Sequence, residues 1–274
     1  MEDIIKKISV FKTEEEYRES SAVSYSQIAA FFRGGIVDLR KEVKPTEEMK
    51  FGSLLKSLMI YDNSSEYYRW YRANKDKIPI TQDYWERAVH CREQIMLHPL
   101  VKRVMRDYEV YYRVKIATDL SDIGVGYCKS MLDAVVVDSN HKLLIPVGIK
   151  TMGEDECFFE KSVVKWQYWL QALMYSDILR FALRDKGIYD WQVVSAFYFV
   201  VANREDPKPL IYKFSTDSMA RAKYPDWIDV GCRLKRYLDN PDRDTPFGVS
   251  RSMTVSLDER LVKDYPFGFK DTNR

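Results

Sequence analysis

The sequence predicts an α/β fold, and three observations support this prediction. The first hundred residues show helical spacing of apolar residues and little strand signal. From Glu109 the pattern changes to three successive strand-type runs, EVYYRVKIAT, YCKSMLDAVVV and KLLIPVGIK, separated by the turn-rich segments DLSDIGVG and DSNH. A helical run from about 159 to 183, an apolar strand at 193–202, a short strand LIYKF and a last helix from about 218 to 237 follow.

The helical part carries start and stop signals. Ser26 is placed to cap a short helix, SQIAAFFR, and the Gly34–Gly35 pair is expected to end it. Thr46 opens a second helix that runs through FGSLLKSLMIY. A third helix occupies 84–97, and Pro99 interrupts it because proline cannot donate a helical hydrogen bond.

Length and composition predict a single domain over residues 1–274. Its parts are a helical N-terminal part at 1–105, an αβ core at 106–238 and a polar, proline-containing C-terminal extension at 239–274. Hydrophobic residues make up 46% of the chain and charged residues 31%, which is ordinary for a globular protein and argues against extended disorder.

The net charge and the apolar runs limit the possible partners. The formal net charge is +2, so any nucleic-acid surface must come from local clusters of lysine and arginine. The longest apolar run, at 193–202, is too short to span a bilayer, and the N-terminus lacks a basic-then-apolar signal segment. We therefore expect a cytoplasmic protein without a membrane partner.

Cysteine and histidine spacing argues against two kinds of metal centre. The four cysteines, at 91, 128, 157 and 232, match no zinc or iron–sulfur spacing, and reduced thiols are expected. The three histidines, at 90, 98 and 141, show no i, i+4 pairing, which disfavours a zinc hydrolase.

Two charged residues stand in the predicted strands. Asp133 interrupts the β-branched run LDAVVVD, where an unpaired buried carboxylate is costly and calls for a metal or a cationic partner. Lys150 ends the next run, LLIPVGIK. The short turn DSNH should place both residues on neighbouring strands, with their side chains converging at one mouth of the sheet. The alternatives are a strand-edge Asp133 facing solvent and a Lys150 that marks where a strand emerges into water.

Further polar residues follow on the predicted long helix. Gln171 and Tyr175 are four residues apart and share one helical face, and Gln167 precedes them by the same step. These residues form either part of a site or a polar seam. Glu109 begins the first strand, where it is either a site carboxylate or a solvated strand-entrance residue.

The order of strand, strand, strand, helix and strand resembles the αβββαβ core of the PD-(D/E)XK nuclease superfamily, a restriction-endonuclease-like fold. The motifs CKSMLDAV, IKT, YWLQALMYSD and FYFVVANREDPKPLIYKF are similar to those of the exonuclease VIII (RecE) group of phage and prophage recombination nucleases. SYSQIAAFF and FGSLLKSLMI resemble the opening helices of that group. The similarity covers roughly residues 20–240.

The resemblance implies a DNA exonuclease that uses Mg²⁺, or Mn²⁺, to hydrolyse phosphodiesters at the ends of linear duplex DNA. It implies a catalytic set of Asp133, Lys150, Gln171 and Tyr175, in which Lys150 positions the attacking water and offsets phosphate charge. It also implies metal binding by Asp133, the backbone carbonyl of Ile149 and an acid such as Glu109. Rings that encircle DNA are common in the group, so a homo-oligomer is expected.

The sequence departs from the group's pattern at two positions. Gly148 stands where the group has a metal-binding acid, and Lys56 stands where it has a histidine. Losing a carboxylate ligand should severely weaken Mg²⁺ binding, since this ion requires several oxygen ligands. Glu160 is the best candidate for a migrated acid, because it precedes Gln171 by eleven residues and would share its helical face.

Two other interpretations of Gly148 remain open. The chain could be a catalytically silent relative that keeps the fold to bind DNA or a protein partner. Alternatively, Gly148 could be an engineered or cloning change, because Asp and Gly codons differ by one base. The acidic loop at 154–156 is also near Lys150, although such loops are more often solvated.

Basic residues alternate with aromatic ones in YYRWYRANKDK at 67–77, and basic clusters occur in VKRVMRDY and CRLKRY. Such mixtures can follow a phosphate backbone and stack on unpaired bases. They are also typical of amphipathic helices with solvated charges and a buried aromatic side.

Overall fold

A seven-stranded mixed β-sheet with helices on both faces forms the centre of the molecule. The computed structural model describes residues 3–42, 44–60, 72 and 81–240. The predicted α/β fold class is confirmed. The predicted C-terminal extension beyond 240 and the basic-aromatic segment at 67–77, apart from residue 72, lie outside the described residues.

The N-terminal helices are α1 (Ile4–Ile8), α2 (Glu14–Glu19), α3 (Tyr25–Arg40), α4 (Glu47–Met59), α5 (Gln82–Leu97) and α6 (Pro99–Asp107). The predicted start of α4 is confirmed, because the Thr46 side chain accepts a hydrogen bond from the Met49 N–H. Pro99 occupies the first turn of α6, where its missing N–H costs no helical hydrogen bond. It therefore separates α5 from α6, as the sequence indicates.

Helix α3 differs from the prediction at both ends. The cap is Ser24, which forms a capping box with Gln27, and not Ser26. The Gly34–Gly35 pair does not end the helix but kinks it, and helical structure resumes and continues to Arg40. Gly35 adopts φ 61 and ψ −138, a conformation that residues with a Cβ rarely reach.

The strands are β1 (Val23–Ser24), β2 (Glu109–Leu120), β3 (Gly126–Asp138), β4 (Leu143–Met152), β5 (Gln192–Val193), β6 (Ala196–Asn203) and β7 (Leu210–Ser215). Strands β2, β3 and β4 form an antiparallel meander, as predicted from the alternation and the turns. Strand β6 then pairs parallel to β4 after a helical crossover, and β7 pairs antiparallel to β6.

Strand β3 has unequal neighbours on its two edges. Strand β2 pairs along nearly the whole of one edge, from Gly126 to Val137. The other edge is shared, because β1 pairs in parallel with Cys128 and Lys129, whereas β4 pairs from Ala134 onward. The stretch between them, which includes Asp133, has no ladder partner on this edge among the described strands.

The prediction of a single long helix at 159–183 is wrong. The chain forms α7 (Phe159–Lys165) and α8 (Tyr168–Asp185), separated by Gln167 in the left-handed region at φ 53. The last predicted helix is likewise two, α9 (Ser218–Arg221) and α10 (Trp227–Asp239), and Pro225 lies between them.

Each sheet face has its own apolar core. One face packs against α3, α8 and α10 around large buried side chains such as Trp169, Phe197 and Trp227. The opposite face packs against α4 and α5 around Phe51, Leu55 and neighbouring apolar residues. Burial of this kind stabilises a fold by about 25 cal/mol per Å² of apolar surface. In the part of the chain that the structure describes, no helix is long and apolar enough to cross a membrane.

Candidate functional site

Asp133 lies where strands β3 and β4 separate. The β3–β4 ladder ends at the pair Ala134–Val147, so the next backbone N–H, that of Ile149, has no strand partner on this side. The Asp133 carboxylate accepts this hydrogen bond through Oδ2 at 2.8 Å. The Asp133 carboxylate thus replaces the strand partner that the Ile149 N–H lacks.

The opposite edge of β3 is distorted at the same level. Strand β2 pairs through Tyr112–Ala134 and Val114–Leu132, and the ladder skips Arg113 and Asp133. Arg113 adopts φ 52, which is unfavourable for a residue with a long side chain, and its guanidinium forms an ion pair with Glu14. Backbone strain of this kind concentrates at functional sites, which supports Asp133 as the centre of one.

Lys56 supplies the cationic partner that the sequence demands for Asp133. Its Nζ lies 2.9 Å from Asp133 Oδ1, and the Asp133 side chain is only 12% exposed, whereas that of Lys56 is 34% exposed. Helix α4 brings Lys56 to this position by packing on β4, where Gly52 approaches the Thr151 side chain. Both carboxylate oxygens of Asp133 therefore have protein donors.

Lys150 lies on the strand next to Asp133, as predicted. Its buried Nζ donates a hydrogen bond to Gln171 Oε1 at 2.6 Å and lies 4.0 Å from the centroid of the Tyr168 ring. Burial and repulsion from Lys56 lower the pKa of Lys150 to about 7, although Asp133 acts in the opposite direction. Burial therefore disfavours the charged form of Lys150.

The residues on α8 reach this site unequally. Gln171 is buried beside Lys150, and Tyr175 is hydrogen-bonded to Gln171, while burial raises the pKa of Tyr175 well above its ordinary value. Gln167 instead lies at the helix break, where its Oε1 accepts a hydrogen bond from Arg33 at 3.1 Å. The predicted common face of Gln167 and Gln171 is therefore not formed.

Gly148 is packed beneath two aromatic rings. A Cβ at this position would lie 3.0 Å from Phe197 Cε1 and 3.2 Å from Phe199 Cδ1, closer than nearly all such contacts. The two rings themselves lie 4.8 Å apart, centroid to centroid. An acidic side chain at Gly148 would therefore require these two rings to shift.

The two further acids expected to bind metal lie on β2 and α7. Glu109 pairs with Val137, further along β3 than Asp133, and its carboxylate accepts a hydrogen bond from the Tyr111 hydroxyl. Glu160 lies on α7, so the helix break separates it from Gln171 and removes the helical face that they were expected to share.

Glu156, in the acidic loop, is buried but has a structural role. Its Oε1 accepts hydrogen bonds from the backbone N–H groups of Asn203 and Lys208, at 2.6 and 2.8 Å. Its own backbone carbonyl accepts a hydrogen bond from the Tyr212 hydroxyl. These bonds tie the loop after β4 to β6 and β7, away from Asp133.

The described residues do not fit a magnesium site at Asp133. Mg²⁺ binds several oxygen ligands, yet both oxygens of Asp133 are engaged by Lys56 and Ile149. Within residues 3–42, 44–60, 72 and 81–240, no group of three or more His, Cys, Asp or Glu side chains is placed to hold a metal ion. The Lys56 ammonium supplies a counter-charge to the Asp133 carboxylate.

Sequence reasoning missed Lys56 as the partner of Asp133 and Tyr168 as the ring beside Lys150. In the sequence, Lys56 stands out only because the group that the sequence resembles has a histidine at this position. Gly148, where that group has an acid, is a second signal. Relative to the pattern of the group that the sequence resembles, glycine at 148 and lysine at 56 change the local charge in the same direction. Together they indicate that a protein cation compensates the remaining aspartate.

Comparison with known proteins identifies the fold. No family model matches the sequence, and no curated protein matches it. The crystal structure of a candidate exonuclease from Eubacterium rectale aligns over 88% of this chain and 97% of its own, with a TM-score of 0.55 and 15% sequence identity. The two proteins share a fold. The solved structure of SSO0001 aligns over 72% of this chain and 86% of its own, at 12% identity and a TM-score of 0.34.

Proposed function

We propose that this protein binds DNA on a nuclease-type fold and does not cleave it by metal-dependent chemistry. The observation that carries the proposal is the ion pair between Lys56 and Asp133, which supplies the aspartate with a protein cation. The likeness to a candidate exonuclease supports DNA as the ligand, and the packing of Phe197 and Phe199 against Gly148 supports the loss of cleavage.

The charges around Asp133 suit a phosphate without a metal. Lys56 offsets the carboxylate, and Lys150 adds a second ammonium in the fraction of molecules where it is protonated. The local charge is then neutral to positive, so an incoming phosphate meets no uncompensated carboxylate. Binding through lysine is sensitive to salt, because each phosphate contact releases condensed counterions.

A second candidate function is a metal-dependent exonuclease of the exonuclease VIII type, acting on linear duplex ends with Mg²⁺ or Mn²⁺. The grouping of Asp133, Lys150 and Gln171 favours it. This function requires Lys56 to leave Asp133. Assembly into a homo-oligomeric ring and a role in phage recombination belong to the same candidate.

Two assays on the purified protein separate these candidates. Fluorescence anisotropy with a labelled duplex that bears a single-stranded overhang, in EDTA and at two salt concentrations, should show binding that weakens as salt rises. The same DNA should remain intact in Mg²⁺ or Mn²⁺. Undetectable binding at low salt removes DNA as the ligand and leaves a protein partner as the better account.

Sustained degradation of the DNA would instead establish the exonuclease. Lys150→Met, purified in the same way, is the control, because activity that survives this substitution belongs to a contaminant. For an exonuclease limited by its missing ligand, Gly148→Asp should raise cleavage by orders of magnitude. For the binding protein, Gly148→Asp should give no cleavage, because Lys56 still occupies Asp133.

A further inference from the structure

Two exposed aromatic side chains flank the short helix α7. Phe158 is 44% exposed and Trp166 is 47% exposed, although large aromatic side chains are usually buried. Each ring is paired with a lysine, because Lys161 Nζ lies 4.6 Å from the Phe158 centroid and Lys165 Nζ lies 4.9 Å from the Trp166 centroid. We call these four residues the α7 ridge.

Helical spacing places the ridge on one side of α7. Phe158, Lys161 and Lys165 follow one another at intervals of three and four residues, which is the spacing of neighbours on a helical face. Trp166 follows at the helix end, where its backbone carbonyl accepts a hydrogen bond from the Tyr25 hydroxyl at 2.8 Å. The backbone that carries the ridge is therefore tied to α3.

The opposite side of α7 connects the ridge to the site. Phe159 is buried and stacks on Tyr168, with ring centroids 5.9 Å apart and an angle of 22° between the planes. The Tyr168 ring faces the ammonium of Lys150. The buried side of α7 is thus packed against the ring that contacts the Lys150 ammonium.

Lys161 and Lys165 give the ridge two positive charges, while Glu160 on α7 and the acidic loop at 154–156 before it carry negative charges. Both lysines are exposed, and no ion pair joins either of them to an acid in the described chain. A planar ring with an ammonium beside it combines a stacking surface for a base with a contact for the adjoining phosphate.

We propose that the α7 ridge binds single-stranded DNA by stacking unpaired bases on Phe158 and Trp166, while Lys161 and Lys165 contact the phosphates. This inference rests on the proposed DNA-binding function and adds its substrate class. Bases inside a duplex are already stacked on one another and do not offer their faces to protein rings. The ridge therefore discriminates in favour of single strands, or of the overhang beside a duplex end.

The test measures affinity for two labelled probes, a single-stranded oligothymidylate and a blunt duplex of two separate strands, by fluorescence anisotropy in EDTA. Phe158→Ala and Trp166→Ala should each weaken binding of the single strand by about 5- to 100-fold, the range typical of one stacked base. Binding of the blunt duplex should change less than about twofold. Trp166→Phe should retain most of the affinity, because phenylalanine also presents a flat ring.

Tyr189→Ala is the matched control, since Tyr189 is 78% exposed and lies beyond the far end of α8. It should leave both affinities unchanged. Thermal unfolding of each variant checks that the fold is intact, and little change is expected because the substituted rings are exposed.

The possible outcomes separate this inference from the proposed function. If the wild-type protein binds DNA and the double variant Phe158→Ala/Trp166→Ala binds the single strand as well as Tyr189→Ala does, the ridge inference is overturned and DNA binding stands. An equal loss for both probes also overturns it. If the wild-type protein binds neither probe, both proposals fail and a protein partner becomes the better occupant of the ridge.

Discussion

The role of Asp133 is determined by the groups that contact its carboxylate. Its Oδ2 accepts the Ile149 N–H and its Oδ1 faces the Lys56 ammonium, so the carboxylate serves the sheet and the ion pair at once. A largely buried carboxylate without a cation is costly, whereas exposed pairs contribute little. The Lys56–Asp133 pair is partly buried, so its contribution to stability should lie between those of buried and exposed pairs.

A double-mutant cycle measures the strength of this pair. We expect Lys56→Met and Asp133→Asn to show a coupling energy of about 1–2 kcal/mol in urea unfolding, reduced from the buried-pair value because Lys56 is partly solvated. The exposed pair Lys142–Asp190 is the control and should show no measurable coupling. Coupling no greater than that of the control would contradict a structural role for Lys56.

Lys150 should make stability depend on pH. Its pKa is about 7 in the folded protein, against about 10.4 in an unfolded chain, so the unfolded chain binds more protons between these values. The free-energy cost of burying the charged Lys150 ammonium is therefore fully present below pH 7. This cost falls as the pH rises above 7, so the free energy of unfolding increases. The charged groups that face it are Lys56 and Asp133, and the Tyr168 ring lies beside it.

Lys150→Met tests this dependence by removing the titrating group. The free energy of unfolding of the wild-type protein, minus that of Lys150→Met, should increase by up to about 3 kcal/mol between pH 7 and pH 9.5. The lost hydrogen bond to Gln171 adds a difference that does not depend on pH. A constant difference across this range, measured by urea unfolding at each pH, would show that Lys150 is not perturbed.

Among the elements, α3 is unusual because it continues through a glycine pair. Gly35, at φ 61 and ψ −138, allows the kink that lets the chain turn and resume its helix. We expect Gly35→Ala to destabilise the protein by about 1–3 kcal/mol, because a Cβ strains this conformation. Gly187, at φ 68 with open space around it, is the control, and Gly187→Ala should cost less in thermal unfolding.

The elements that the sequence predicted are those with a regular pattern. Strands β2, β3 and β4 alternate or run apolar for many residues and are bounded by turn residues, so their presence and order could be predicted. The break between α7 and α8 could not be predicted, because Gln167 adopts a left-handed conformation and no glycine or proline marks this position. Strand β1 has only two residues, too few for a period.

The candidate site was predictable only in part for a related reason. Asp133 and Lys150 fall on adjacent strands joined by a short turn, so local pattern was enough. Contacts between distant elements need the register and the helix positions. The approach of Lys56 to Asp133 depends on how α4 packs on the sheet, and the distance of Glu109 from Asp133 depends on the β2–β3 register.

For the whole molecule, the net charge of +2 means that DNA binding depends on a few local cations. The α7 ridge is connected to Lys150 through Phe159, which stacks on Tyr168, and the Tyr168 ring lies beside the Lys150 ammonium. A protein of this kind should lose a measurable share of its salt dependence when two of its lysines are removed.

The logarithm of the association constant for a single strand falls with the logarithm of salt concentration, by about 0.7 for each phosphate contact. The double variant Lys161→Ala/Lys165→Ala should therefore have a salt dependence that is shallower by about 1.4. The matched variant Lys186→Ala/Lys223→Ala removes two exposed lysines on other elements and should keep the wild-type slope. Equal slopes for both variants, in anisotropy titrations at four salt concentrations, would place the phosphate path away from α7.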